Sequence, residues 1–384
     1  MSHSPSPVTT ADVRRIVTEK PFQVTKVTTL VLWLLVAVGA VTFALGVMSD
    51  EVRLTWISFH VNLIFWMTLA AASAGFSAVF HICNAQWSRP LRRLFESTVY
   101  FLPVAIALLV VFYLGHGHIF VWAHLPIAGK GAWLSSNLVF VRDVIAYGLI
   151  AYVSSKVIRL SLARDFMAIR GGLTGVSQSE TTRWSGAFGN AVLHGIDQRN
   201  PRAAIREITA NMGRLSPVNV IVYAVGISLI AFDLVMSVDP HWYSTLFGAF
   251  IFMSAVYATM AWASITMGFA RETHPLFRAK IERRTLHDLG KLLFGFGIFW
   301  AYLFWSHYLT IWYGNIPEET QWVITRLRLE PWHSFAWVIF GSSFIVPFFL
   351  GLNRDLKQVP QLLFATAVIV MVGLWLQMYL LIAP

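Results

Sequence analysis

The sequence predicts an all-α integral membrane protein with about nine transmembrane helices, arranged as two four-helix bundles plus one additional helix. Three observations predict it. The chain is 57% hydrophobic and only 12% charged over 384 residues, a balance found in polytopic helical membrane proteins and not in soluble enzymes. Apolar runs of about 20 residues or more recur from residue 28 to the C-terminus, each long enough to cross roughly 30 Å of hydrocarbon as a helix. Basic residues collect in every second loop. Helices are required because backbone polar groups find no water inside lipid.

Taken in order, the candidate spans are 28–48, 56–83, 97–116, 136–161, 217–237, 243–268, 288–313, 333–352 and 360–382. Sixteen Trp and eleven Tyr suit a protein with two membrane–water interfaces to anchor. The polar first 27 residues, with Arg14, Arg15 and Lys20, read as a cytoplasmic arm. Pro103 is expected to kink span three.

The net charge of +10 would suit nucleic acid, but its placement argues against that partner. Of 29 Lys and Arg, 24 fall in the arm and in loops two, four, six and eight or the adjoining span ends. Arg53, Lys130, Arg326 and Arg328 lie on the other side, and Arg142 falls inside span four. The positive-inside rule then puts the N-terminus in the cytoplasm and the C-terminus outside, as an odd number of spans requires. A bacterial inner membrane, with a periplasmic C-terminus, is the expected location.

Loop four, about residues 162–215, is the longest polar segment. Asn200-Pro201 begins a short helix there, with Asn as N-cap, Pro in the first turn and Gly213 as the stop. That helix is expected to lie on the membrane surface or against a partner. The chain then divides into an arm (1–27), a first bundle (28–161), a linker (162–215), a second bundle (216–352) and a last helix (353–384). A weak repeat agrees with two halves. Span two follows Ser58-Phe59-His60, span six follows Asp239-Pro240-His241, and both run into basic loops.

Charges inside spans come next, because an acid in lipid is costly and commonly functional. Asp233 lies about a turn from the outer end of span five. It suits a proton-carrying or quinol-facing acid, or a carboxylate that only bonds a neighbouring helix. Arg142 and Asp143 sit in span four; adjacent residues point about 100° apart on a helix, so each needs a partner elsewhere. Their pairing serves structure, proton relay or both. His307, with Tyr308 beside it, suits a relay, a quinone contact or a helix–helix hydrogen bond. Asp239 and His241 occupy the corner after span five. Near the cytoplasmic side, Glu96 opens span three, and Asp288 and Lys291 open span seven. The helix dipole accounts for acids there, and their position also makes them candidates for proton entry.

Metal chemistry has thin support. The single cysteine, Cys83, excludes an internal disulfide, a CxxC pair, a thiolate-bound iron–sulfur cluster and a CxxCH haem attachment. His60 and His81 are about 31 Å apart along one helix and cannot share an iron. His60 with His307 could match in depth, whereas His81 meets only the loop residues His274 and His287. His116, His118 and His124 read as interface residues facing a periplasmic partner, with a weak metal signal.

Three long strings carry a family resemblance: FDLVMSVDPHWYSTLFG from Phe232 to Gly248, DLGKLLF from Asp288 to Phe294, and IWYGNIPEE from Ile311 to Glu319. They resemble the ActF subunit of bacterial alternative complex III, within the wider group of NrfD-like membrane subunits similar to the polysulfide reductase anchor. The resemblance is dense over about 230–320. It implies two four-helix bundles, no haem or cluster bound in this chain, and a complex that oxidises a quinol such as menaquinol and reduces cytochrome c or a terminal oxidase. It implies partners: a homologous membrane subunit better placed to oxidise quinol, an iron–sulfur subunit and c-type cytochrome subunits. The chain departs from the family in having His307 where Gln is expected, and nine spans where ten are expected.

The leading expectation is therefore a membrane subunit that anchors such a complex and contributes a quinone site or a proton path. Asp233, Arg142, Asp143 and His307 would form its outer half, and Asp288, Lys291 and Glu96 its inner half. A purely structural anchor and a secondary transporter with discontinuous helices are the alternatives.

Overall fold

In a computed structural model of the chain, residues 25–125, 127–172, 187–198, 200–273, 277–278 and 281–384 are described. Nearly all of the N-terminal arm, and His274, lie outside them. Among the described residues, nine helices are long and apolar enough to cross a membrane. They are Lys26–Val47, Val52–Ile82, Arg92–His118, Ser136–Ile169, Pro201–Val238, Phe247–Thr273, Arg283–Gly314, Trp332–Leu352 and Pro360–Ile382, called spans one to nine below. The described residues form no strands.

Packing groups the spans differently from the expected order. Spans two to five pack on one another, and spans six to nine form a second group. Span one is the added helix. None of its apolar window is buried, and it rests on span two through Phe43, whose ring lies 5.1 Å from Trp56 and 4.9 Å from Phe59. The expected first bundle of spans one to four, with span nine left over, is thus one span out of step. Span one is apolar on all sides, as spans two and nine are, so its residue pattern does not mark it as the helix outside both bundles.

Spans two and six are the central helices of their bundles, with 89% and 78% of their apolar windows buried, and they pack against each other. Both are rich in Ala, Ser and Gly, which lets helices approach closely. The same device joins spans four and five, where a Cβ at Gly226 would overlap Ile150. The span-two to span-six pairing inferred from the repeat therefore relates the two buried centres.

The expected surface helix is instead the start of span five. Asn200 caps it, its side chain accepting from the Ala203 amide at 3.2 Å, and Pro201 stands in the first turn. Gly213 does not stop it, and the helix continues to Ile230. A glycine costs a helix interior about 1 kcal/mol, less than continuous packing on span four returns. Beyond the main core, this extension and span four enclose a small cluster of Ala163, Met167, Leu193, Ile208 and Met212. Pro103 likewise makes no mid-helix kink. A 3₁₀ turn, Thr98–Phe101, precedes it, and Pro103 opens the helix Leu102–Gly115, where its missing N–H costs nothing.

Two spans contain a π turn: Ala231–Val235 in span five and Gly341–Ile345 in span eight. Such turns insert a residue into the helix and often mark functional positions. Span seven ends at Asn315 in the left-handed conformation, φ 46°, a common helix stop. A short amphipathic helix, Pro317–Leu327, follows. Glu318 and Glu319 lie in its first turn and Arg326 in its last, as the dipole favours.

Candidate functional site

For orientation, the end carrying Arg93, Arg164 and Lys291 is called the basic end, and the other the opposite end. At the opposite end of the first bundle, the π turn of span five carries Asp233 into the interior, where it is fully buried. Arg142 of span four donates from Nε to Asp233 Oδ2 at 2.7 Å, and Trp133 donates from its indole to Oδ1 at 3.1 Å. The Arg142 guanidinium also lies 3.8 Å over the Trp133 ring. Ser237 donates to the Asp233 carbonyl. The segment before span four closes over this site: Trp122 donates to the Ser237 carbonyl at 3.0 Å, and Lys130 to the Pro240 carbonyl at 2.7 Å.

Asp143 completes the cluster differently. It is 1% exposed and within hydrogen-bonding reach of Asp233, so that one proton can bridge the two carboxyl groups, and it lies within electrostatic reach of Arg142. It faces a cavity with about 280 Å³ of empty space, also lined by His116, Ser136 and Tyr113. His116 spans that cavity's edge, with Nδ1 donating to the Tyr113 carbonyl at 2.5 Å and Nε2 at 3.0 Å from Ser136 Oγ. His60, fully buried, stacks on Phe112 at 4.4 Å, with the Leu234 backbone within reach of its ring. Two buried carboxylates thus share one partly exposed guanidinium. Charge neutrality there requires one more proton or cation.

At the basic end of the same bundle, Glu96 is 3% exposed and well satisfied. Ser77 and Ser161 donate to Oε1 at 2.8 and 2.7 Å, and Arg93 pairs with both Glu96 and Asp165. Glu96 is therefore more than a dipole-stabilised acid at a helix start. Isolated polar groups lie between the two ends. Ser154 donates to Asn219 Oδ1 at 2.9 Å, while Asn219 Nδ2 and Ser216 Oγ have no partner among the described residues.

The other candidates lie elsewhere. Asp288 and Lys291 form an ion pair of 2.7 Å on one turn of span seven, half-exposed at Lys291. Asp239 caps the corner by accepting from the His241 amide at 3.2 Å, and His241 is exposed; neither joins the Asp233 cluster. His307 and Tyr308 are in the second bundle, lining a separate cavity. The expected match of His60 with His307 does not form: His60 stacks in the first bundle, and His307 packs 5.6 Å from Phe250 in the second. His124 bonds the Gly117 carbonyl at 3.0 Å. Among the described residues no group of three His, Cys, Asp or Glu side chains could hold a metal ion.

Sequence reasoning missed Trp133, Asn219, Arg326 and Gln377. Trp133 and Asn219 carry no signal in a single sequence. Arg326 does carry one, as one of two closely spaced cations, with Arg328, near an apolar span on the side where basic residues are few. Gln377 is a polar residue inside span nine; it accepts from the Trp300 indole at 2.8 Å and donates to Ser254 Oγ at 3.0 Å. No protein-family model matches the chain, and no curated protein matches it.

Proposed function

We propose that this chain is a membrane subunit of a quinol-oxidising electron-transfer complex, and that its own chemical part is proton transfer through the first bundle. The observation that carries this reading is the Asp143–Arg142–Asp233 cluster, in which two buried carboxylates share one guanidinium and Asp143 lines a small, mostly apolar cavity. Buried ionisable groups on facing helices are the usual parts of proton relays. A cavity of that kind has room for the water such a relay needs. Glu96 at the basic end supplies a third buried carboxylate in the same bundle.

The kind of complex follows from the strings at 232–248, 288–294 and 311–319. By that resemblance, quinol is oxidised in a homologous membrane subunit. Iron–sulfur and c-type haem subunits pass the electrons to cytochrome c or a terminal oxidase, and this chain anchors them in a bacterial inner membrane. The basic end is then cytoplasmic, and the cluster releases protons on the periplasmic side. The Arg142–Asp233 pair taken alone favours a purely structural anchor. The second carboxylate, Asp143, favours the relay, because one guanidinium balances only one of the two acids and the other needs a proton.

The test is purification in mild detergent through a C-terminal tag, from cells making the chain at native levels. Haem spectra and mass spectrometry of the co-purifying chains are the readout. Partners carrying c-type haem and iron–sulfur clusters are expected. A haem-free chain running alone would reject the complex and bring a transporter forward.

A further inference from the structure

The second bundle holds a larger cavity at the opposite end, with about 730 Å³ of empty space including its mouth. Its walls are mostly apolar, with the rings of Phe250, Trp300, Phe304, Trp322 and Phe340 among them. Two polar groups that line it are incompletely used. His307 Nδ1 donates to the Leu303 carbonyl at 3.0 Å, which leaves Nε2 buried and without a partner among the described residues. Arg326 is 4% exposed. It donates to the Trp322 and Leu381 carbonyls at 3.3 and 3.1 Å and lies 4.1 Å over the Trp322 ring, but its Nε is buried and unbonded.

The charge on Arg326 decides the ligand class. No carboxylate among the described residues lies within ion-pair distance of it. The Leu381 carbonyl belongs to the last turn of span nine, so that helix's dipole offsets part of the charge and leaves the rest. Burial lowers the guanidinium to about 10, with Asp239 acting in the opposite sense, so the side chain remains a cation at neutral pH. A buried cation beside an apolar cavity is stabilised most by an anion that arrives with its own apolar body. Gln377, already bonded to Trp300 and Ser254, adds no demand of its own.

We infer that this cavity binds an acidic membrane amphiphile, its anionic oxygen on Arg326 and its apolar body among the aromatic walls. A hydroxyl on the head group would find His307 Nε2. A lipid phosphate and a fatty-acid carboxylate supply the same chemistry. The inference does not depend on the proposed complex.

Native mass spectrometry of the purified, delipidated full chain tests it, with phosphatidylglycerol, oleate, phosphatidylcholine and decylubiquinone added back separately. One acidic molecule is expected to be retained about tenfold more strongly than phosphatidylcholine. The phosphatidylglycerol and oleate arms identify the source. Arg326→Gln should abolish the preference, Arg326→Lys should keep most of it, and Ala336→Phe, which fills the cavity with Arg326 intact, should abolish binding. Equal retention of acidic and zwitterionic lipid would overturn the inference, as would a preference that survives both Arg326→Gln and Ala336→Phe. Retention of decylubiquinone in preference to the acidic molecules, unchanged in Arg326→Gln, would also overturn it and give the cavity to a neutral quinone head.

Discussion

The two bundles share a plan and differ in what occupies the opposite end. Each is built around a buried, small-residue helix, span two or span six, and each contains one π turn. In the first bundle that end is filled by Asp143, Asp233, Arg142 and Trp133. In the second, span nine presents Gln377 instead of an acid, aromatic rings replace the ion pair, and a cavity opens. Helix packing alone therefore does not assign chemistry. One bundle has charges that must be balanced within the protein, and the other has a cation with room beside it.

The largest effect is expected where a charge loses its partner. Arg142→Ala should destabilise the protein by about 3–5 kcal/mol, because Asp233 is left buried and unpaired. Adding Asp233→Asn should recover much of that loss. Thermal unfolding in detergent, followed by intrinsic fluorescence, measures both. If Arg142→Ala unfolds like the wild type, the pair does not hold the bundle together.

A smaller change is expected from Gln377→Leu in the second bundle. The Trp300 indole would lose its acceptor, at a cost of about 1–3 kcal/mol, with no charge left behind. The same unfolding assay would sharpen the contrast between bundles, and equal losses for Arg142→Ala and Gln377→Leu would erase it. The smallest effect is expected on span one. Leu34→Ala, at a position 61% exposed to its surroundings, should change stability by less than about 0.5 kcal/mol. A large loss there would mean that a surface outside this chain covers span one.

The fold was legible because hydropathy and loop charge are long-range averages that one sequence displays fully. The grouping of spans was not, since span one is as apolar as the others and only contacts reveal that it stands outside both bundles. Gly213 misled because a glycine can stop a helix or be carried through it, and packing on span four decides which. Arg142, Asp143 and Asp233 stood out as charges inside apolar runs, and the structure brings them together. His307 stood out for the same reason, yet it belongs to another site, because span number says nothing of which faces meet. Glu96 was found for its position, but its partners Ser77 and Ser161 are common in apolar helices and carried no signal.

The most direct test of proton transfer through the first bundle is Asp143→Asn in the assembled complex, with quinol turnover and proton release measured together. The substitution keeps the size of the side chain and removes only its capacity to carry a proton. The expected result is a normal complement of subunits and haem, with proton release at this end reduced on the order of 10²-fold. Unchanged turnover and unchanged proton release would contradict the relay and leave Asp143 as a structural residue.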